Sequence, residues 1–127
     1  EFLGFVKREL LPLLFARANL FVFPSLYYNF AVVKLEAAAY STPGVFIADS
    51  CSGYGVTDGV NGFLAEDNDE AFAAKIEQAI TDPEVLKTIG QNASRDLYIH
   101  WKDCTFKLHE RYCEIIDEWR NNNANTK

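Results

Sequence analysis

The stretch FVFPSLYYNFAVVKLEAAAYSTP, Phe21 to Pro43, constrains the fold more than any other part of the chain. The apolar run Leu20-Phe21-Val22-Phe23 is stopped by Pro24-Ser25, and a short polar-aromatic turn leads into an Ala-rich segment. That order reads as a buried strand, a loop and a helix from Phe30 to Tyr40. In open α/β sheets, ligands sit beyond the carboxyl ends of the strands, where helix N-termini offer unpaired backbone N–H groups. Glu36, the one acid in the Ala-rich helix, is therefore the first candidate site residue.

The segments on either side extend the pattern. Glu1 to Val6 reads as the end of a short strand, with Gly4 at its turn. Lys7 to Ala18 carries apolar residues at helical spacing, with Pro12 early enough for the first turn to absorb it. Ser41-Thr42-Pro43-Gly44 breaks the Ala-rich helix, and Val45 to Ala48 is the next strand. Asp49 to Gly59 is a Gly/Ser/Asp-rich loop at that strand's carboxyl end, and Phe63 to Ala65 is a third strand. Acidic residues Asp67 and Asp69 open an amphipathic helix, Asp82-Pro83 starts another, and Ser94 to Trp101 is a helix end or connector. Asp103 to Trp119 is the last helix, with Phe106, Leu108, Tyr112, Ile115, Ile116 and Trp119 as its expected buried set. Residues 1–120 form one partial domain, and Asn121 to Lys127 is expected to fray as a tail. Strands alternating with helices through the first half predict an α/β fold, a Rossmann-like parallel sheet with flanking helices.

Composition removes several function classes. Ten Phe and six Tyr in 127 residues rule out a disordered chain. A net charge of −6 offers no bulk basic footprint for nucleic acid. No apolar run approaches a membrane-spanning length, and no signal peptide is visible, although a start at Glu1 suits a fragment. Cys51, Cys104 and Cys113 are three in number, with no C-x-x-C pair, against a disulfide framework or a zinc site. They read as small, buried or half-buried thiols in a reducing compartment. His100 and His109 have no clustered partner and read as structural or surface residues. No metal site is expected.

Three motifs then stand in order: ARANLFVFPSLY, LEAAAYSTPGVF and VTDGVNGFLAEDN. Together, at this spacing, they resemble the C-terminal domain of glycosyltransferase family 4, and the resemblance runs from about Phe2 to the final helix. That family has the GT-B fold, two Rossmann-like domains around a cleft, and its C-terminal domain binds the nucleotide-sugar donor. The resemblance implies that Glu36 binds the ribose hydroxyls, since one carboxylate can accept from two adjacent hydroxyls. It implies that backbone N–H groups of Phe30, Ala31 and Val32 face the pyrophosphate, with Ser25 at the same strand end. The implied donor is a UDP- or GDP-type sugar, bound as substrate, with no separate cofactor. The family's phosphate-clamping Arg and Lys and its N-terminal acceptor-binding domain are not in this chain; Lys7 and Arg8 do not match the clamp. The chain alone is therefore expected not to turn over. A cytoplasmic location is expected, and any contact with the inner face of a membrane would fall to the missing half.

The sequence departs from the family where sugar is handled. Eight positions before Glu36, where the family carries an acid used near the donor sugar, stands Tyr28. Eight helical positions span about 12 Å, enough to pass from ribose to sugar. A tyrosine can donate and accept a hydrogen bond, but near pH 7 it supplies no fixed negative charge, its reference pKa being about 10. Tyr54 matches a second acid found in some relatives, and Asn29 and Ala31 stand where glycines are usual. Either these tyrosines merely line the cleft, or donor choice is altered or catalysis lost. The leading expectation is the donor-binding part of a retaining glycosyltransferase that transfers a hexose. The alternative is a degenerate, non-catalytic domain kept for assembly or regulation. An unrelated flavodoxin-like or receiver domain would use Asp49, but the acid pair a receiver needs is not found. Asn92-Ala93-Ser94 matches a glycosylation acceptor pattern by chance, and the acidic run Glu66 to Glu70 reads as a helix start.

Overall fold

A computed structural model of the chain describes residues 2–26 and 31–124. Three parallel strands form one sheet in the order of the chain: β1 (Phe21–Phe23), β2 (Gly44–Ile47) and β3 (Phe63–Ala65). Phe21 pairs with Gly44 and Phe23 with Phe46, and Val45 pairs with Phe63 and Ile47 with Ala65. The central strand β2 is buried at all four positions, which is why it reads as an uninterrupted apolar run rather than an alternation. Edge strand β1 is only half-buried.

Five α-helices occur among the described residues: α1 (Leu11–Arg17), α2 (Val32–Ala39), α3 (Asp69–Ala79), α4 (Pro83–Asp96) and α5 (Trp101–Ala124). A 3-10 turn, Arg8–Leu10, leads into α1, with Pro12 in the first helical turn, where its missing N–H has no helical partner to lose. Helices α3 and α4 start on side-chain caps. Asn68 Oδ1 accepts from Ala71 N at 2.8 Å, and Asp82 Oδ1 accepts from Glu84 N and Val85 N at 3.0 and 3.2 Å. Helix α3 packs on β2 and β3, and α2 packs on β2 and against α1 and α4. One core cluster joins Val45, Phe63 and Ala65 to Ala79, Leu86 and Ile89; a second joins Ala38 to Ala93 and Leu97. At Gly90 a Cβ would overlap the carbonyl oxygen of Ser41, so α4 meets the end of α2 backbone to backbone.

The third motif has a structural account. Asp58 Oδ1 accepts from Leu64 N at 2.8 Å, and its other carboxylate oxygen pairs with Lys75 at 3.0 Å. Asn61 Oδ1 accepts from Thr57 N at 2.7 Å, and Asn92 Nδ2 donates to Val60 O at 2.9 Å. Polar residues at turn positions thus close the loop between β2 and β3, which contains no helix.

Four sequence expectations are corrected. Residues 2–6 form no strand, and Phe2 and Phe5 are fully exposed, because no described strand lies beside them to supply ladder bonds. The apolar set of the last helix (Phe106, Leu108, Tyr112, Ile115, Ile116, Trp119) is exposed throughout, since no described element packs along α5. Cys51, Cys104 and Cys113 are exposed thiols, set in a loop and on α5 rather than against the core. Asn121–Ala124, expected as tail, continue α5, and residues 125–127 lie outside the described residues.

Candidate functional site

Helix α2 leaves the carboxyl end of β1 and starts at Val32, with buried Ala31 as its N-cap residue and no side-chain cap. Among the described residues no side chain takes the backbone donors of the first turn, although Lys34 N donates to Ala31 O at 2.8 Å, and this end of a helix dipole favours an anion. Of the residues expected there, Ala31 is 4% exposed and Val32 53% exposed. Ser25 is half-buried just beyond β1, its backbone N–H donating to Phe23 O at 2.9 Å. Phe30 and Tyr28 lie outside the described residues.

Glu36 sits one turn further along α2, half-buried, in the wall of a cavity of about 550 Å³. Apolar and aromatic side chains dominate this cavity, with Leu11 from α1, Leu35 from α2, and Tyr98 and Trp101 from the connector and α5. Arg8 is the one cationic side chain among the described residues that line the cavity. The Glu36 carboxylate has no hydrogen-bond or ion-pair partner among the described residues. A half-buried carboxylate in an apolar cavity, close to an open helix N-terminus, can accept from hydroxyls while an attached anion meets the helix end.

The loop after β2 does not line this cavity; it meets α2 through Lys34. Its residues 50–54 are knitted by Ser50 Oγ donating to Ile47 O at 2.7 Å, by the Ser50–Ser52 hydroxyl pair at 2.8 Å, and by Gly53 N donating to Ser50 Oγ at 3.2 Å. Tyr54 is 73% exposed. Asp49, the residue a receiver domain would need, is an exposed turn residue at φ 53°.

Nothing in the sequence singles out Lys34. It is 2% exposed, and its ammonium donates to Ser52 O at 2.8 Å and to Tyr54 O at 2.6 Å. Burial pushes its pKa below the ordinary value, while the charge of Cys51 pulls the other way. A lysine among apolar helix residues reads as a solvated charge, and nothing in its spacing announces two carbonyls eighteen and twenty residues downstream. The cavity residues Arg8, Tyr98 and Trp101 come from separate segments that only the packing brings together.

A three-stranded parallel α/β sheet with flanking helices is the architecture of GT-B C-terminal domains. The sucrose-phosphate synthase of Thermosynechococcus elongatus superposes with a TM-score of 0.80 at 26% identity, over 93% of this chain and 30% of that one. The Anabaena protein HepE, solved in complex with UDP and glucose, superposes with a TM-score of 0.70 at 25% identity, over 93% of this chain and 32% of that one. The model of the family described as "Glycosyl transferases group 1" matches residues 1–96, and the chain belongs to that family. An uncharacterized glycosyltransferase of Methanocaldococcus jannaschii is 33% identical over 105 residues, covering 80% of this chain. The chain spans 29% of that relative's length.

Proposed function

We propose that this chain is the donor-binding part of a retaining glycosyltransferase that takes a UDP- or GDP-type sugar and passes a hexose to an acceptor held by another part of the protein. The observation that carries the reading is the placement of Glu36, a carboxylate with no partner among the described residues, in an apolar cavity beside a helix start that no described side chain caps. In this reading Glu36 takes the ribose hydroxyls, and the backbone N–H groups of Phe30, Ala31 and Val32, together with Ser25, take the diphosphate. During transfer the bond from the sugar's anomeric carbon to the diphosphate oxygen breaks, and the diphosphate leaves with the electron pair. The acceptor oxygen bonds to the same face of that carbon and passes its proton to the departing diphosphate. The helix end stabilises charge as it develops on the leaving group. The UDP and glucose bound in the HepE structure support a nucleotide-sugar at this kind of site. No helix among the described residues is long and apolar enough to cross a membrane. A cytoplasmic enzyme, meeting the inner membrane face through its other half, fits this reading.

A second reading, a non-catalytic domain, is favoured by one observation: Tyr28 stands where the family resemblance places an acid. In the transferase reading Tyr28 occupies the catalytic position and acts through its hydroxyl. Calorimetric titration of UDP, GDP and ADP into the full-length protein separates the two. Binding of one nucleotide, weakened by Glu36→Ala about 10- to 100-fold, is expected for loss of charge-assisted hydrogen bonds worth roughly 1.5–3 kcal/mol. No binding of any nucleotide by the full-length protein would leave the non-catalytic reading.

A further inference from the structure

We infer that Lys34 is a positioning residue for the sugar end of the donor site: it pins the loop after β2 so that residues 51–54 form a wall beside the transferred sugar. The inference rests on the donor reading above and adds to it the part of the site that discriminates a sugar nucleotide from a bare nucleotide.

The geometry starts from the shape of the ligand. A nucleotide-sugar is linear, running from base through ribose and diphosphate to sugar. With ribose at Glu36 and diphosphate at the start of α2, the sugar extends past the helix end, over the carboxyl ends of β1 and β2. These strands are paired neighbours, and paired strands lie about 4.8 Å apart. The chain that leaves β2 there is the 50–54 loop. Its outward residues Cys51 and Tyr54 are exposed, so the core does not hold them.

Lys34 sits in the first turn of α2, the turn assigned to the diphosphate, and reaches across to the loop. Its Nζ donates to Ser52 O at 2.8 Å and Tyr54 O at 2.6 Å and lies 5.7 Å from the centre of the Phe46 ring on β2. From the opposite side the loop is stopped by the strand itself. A Cβ on Gly53 would lie 2.6 Å from Ile47 O and 3.0 Å from Leu64 Cδ2. The loop is thus clamped between a lysine that belongs to the diphosphate helix and the end of β2. A buried ammonium is rarely kept without a task, because taking the charge from water is unfavourable. Here that task is to set the spacing between the phosphate end and the loop.

The test is paired titration into the full-length protein, UDP against UDP-glucose and GDP against GDP-mannose, read in whichever pair the wild type binds. Lys34→Met removes the donor from one side of the clamp. Gly53→Ala shifts the loop from the other side and leaves Lys34 intact. Each is expected to lower the ratio of sugar-nucleotide to nucleotide affinity about tenfold, with affinity for the bare nucleotide within about twofold of wild type, a loss equivalent to roughly 1.4 kcal/mol. A lysine that merely holds the domain together would weaken both ligands alike or neither. An unchanged ratio in both variants, or equal loss of both ligands in both, overturns the assignment of Lys34. A wild type that binds neither UDP nor GDP overturns the donor reading itself, and this inference with it.

Discussion

Substituting Ser41 by glycine should stabilise the chain. Helix α2 ends with Ser41 N donating to Ala38 O at 2.9 Å and Thr42 N donating to Ala37 O at 3.1 Å, the paired bonds of a left-handed C-terminal cap. Ser41 supplies the left-handed residue at φ 57°, where glycine is usual. A side chain in that region is disfavoured by about 1–2 kcal/mol. The Ser41 side chain is exposed, and no hydrogen bond of its hydroxyl among the described residues offsets the strain. Against this, glycine adds backbone freedom to the unfolded chain worth about 0.4–1 kcal/mol. The difference leaves Ser41→Gly more stable by about 0.8 kcal/mol, a rise in melting temperature of roughly 2–4 °C for a chain of this size. Both tryptophans lie exposed on α5, so fluorescence would report poorly on the sheet. Urea and thermal unfolding should therefore be followed by far-ultraviolet circular dichroism. Ser41→Val, β-branched at a positive φ, should lose about 1–3 kcal/mol as the opposing control. A destabilised glycine variant, or an indifferent valine variant, would refute the reasoning that strain at this cap outweighs chain entropy.

Further substitutions test the packing and the charges. Gly90→Ala gains about 1 kcal/mol of helix propensity, but its Cβ would overlap Ser41 O and crowd Pro43; a net loss of about 1–3 kcal/mol is expected in the same unfolding assay. Asp82→Ala removes the acceptor for Glu84 N and Val85 N and should cost α4 about 1 kcal/mol, read as faster hydrogen exchange in its first turn. Lys34 makes stability pH-dependent in the alkaline range. Its folded pKa lies below the ordinary 10.5, so between the two values the unfolded chain holds a proton the folded chain lacks, and stability rises with pH through that window. Urea midpoints measured up to pH 10.5 should show this slope in the wild type and a flatter one in Lys34→Met.

Local sequence alone determined the order of elements from Lys7 to Asp96. Strands β1, β2 and β3 fall within a residue of the apolar runs that announce them, Pro24 ends β1, and Asn68 and Asp82 cap α3 and α4, because caps and breakers act within a few residues. Local sequence shows Glu36 only as a lone acid on a short helix after a half-buried strand; its ribose role comes from the family resemblance. Pairing and burial were not legible, because they depend on partners distant in sequence. The run at residues 2–6 looks like a strand but has no described neighbour to complete a ladder. The stripe from Phe106 to Trp119 has the spacing of a buried helix face yet meets no described element. Lys34 looks like a surface charge until the fold brings the carbonyls of Ser52 and Tyr54 to it. Periodicity reports which face of an element can be buried, whereas tertiary packing alone decides what, if anything, covers it.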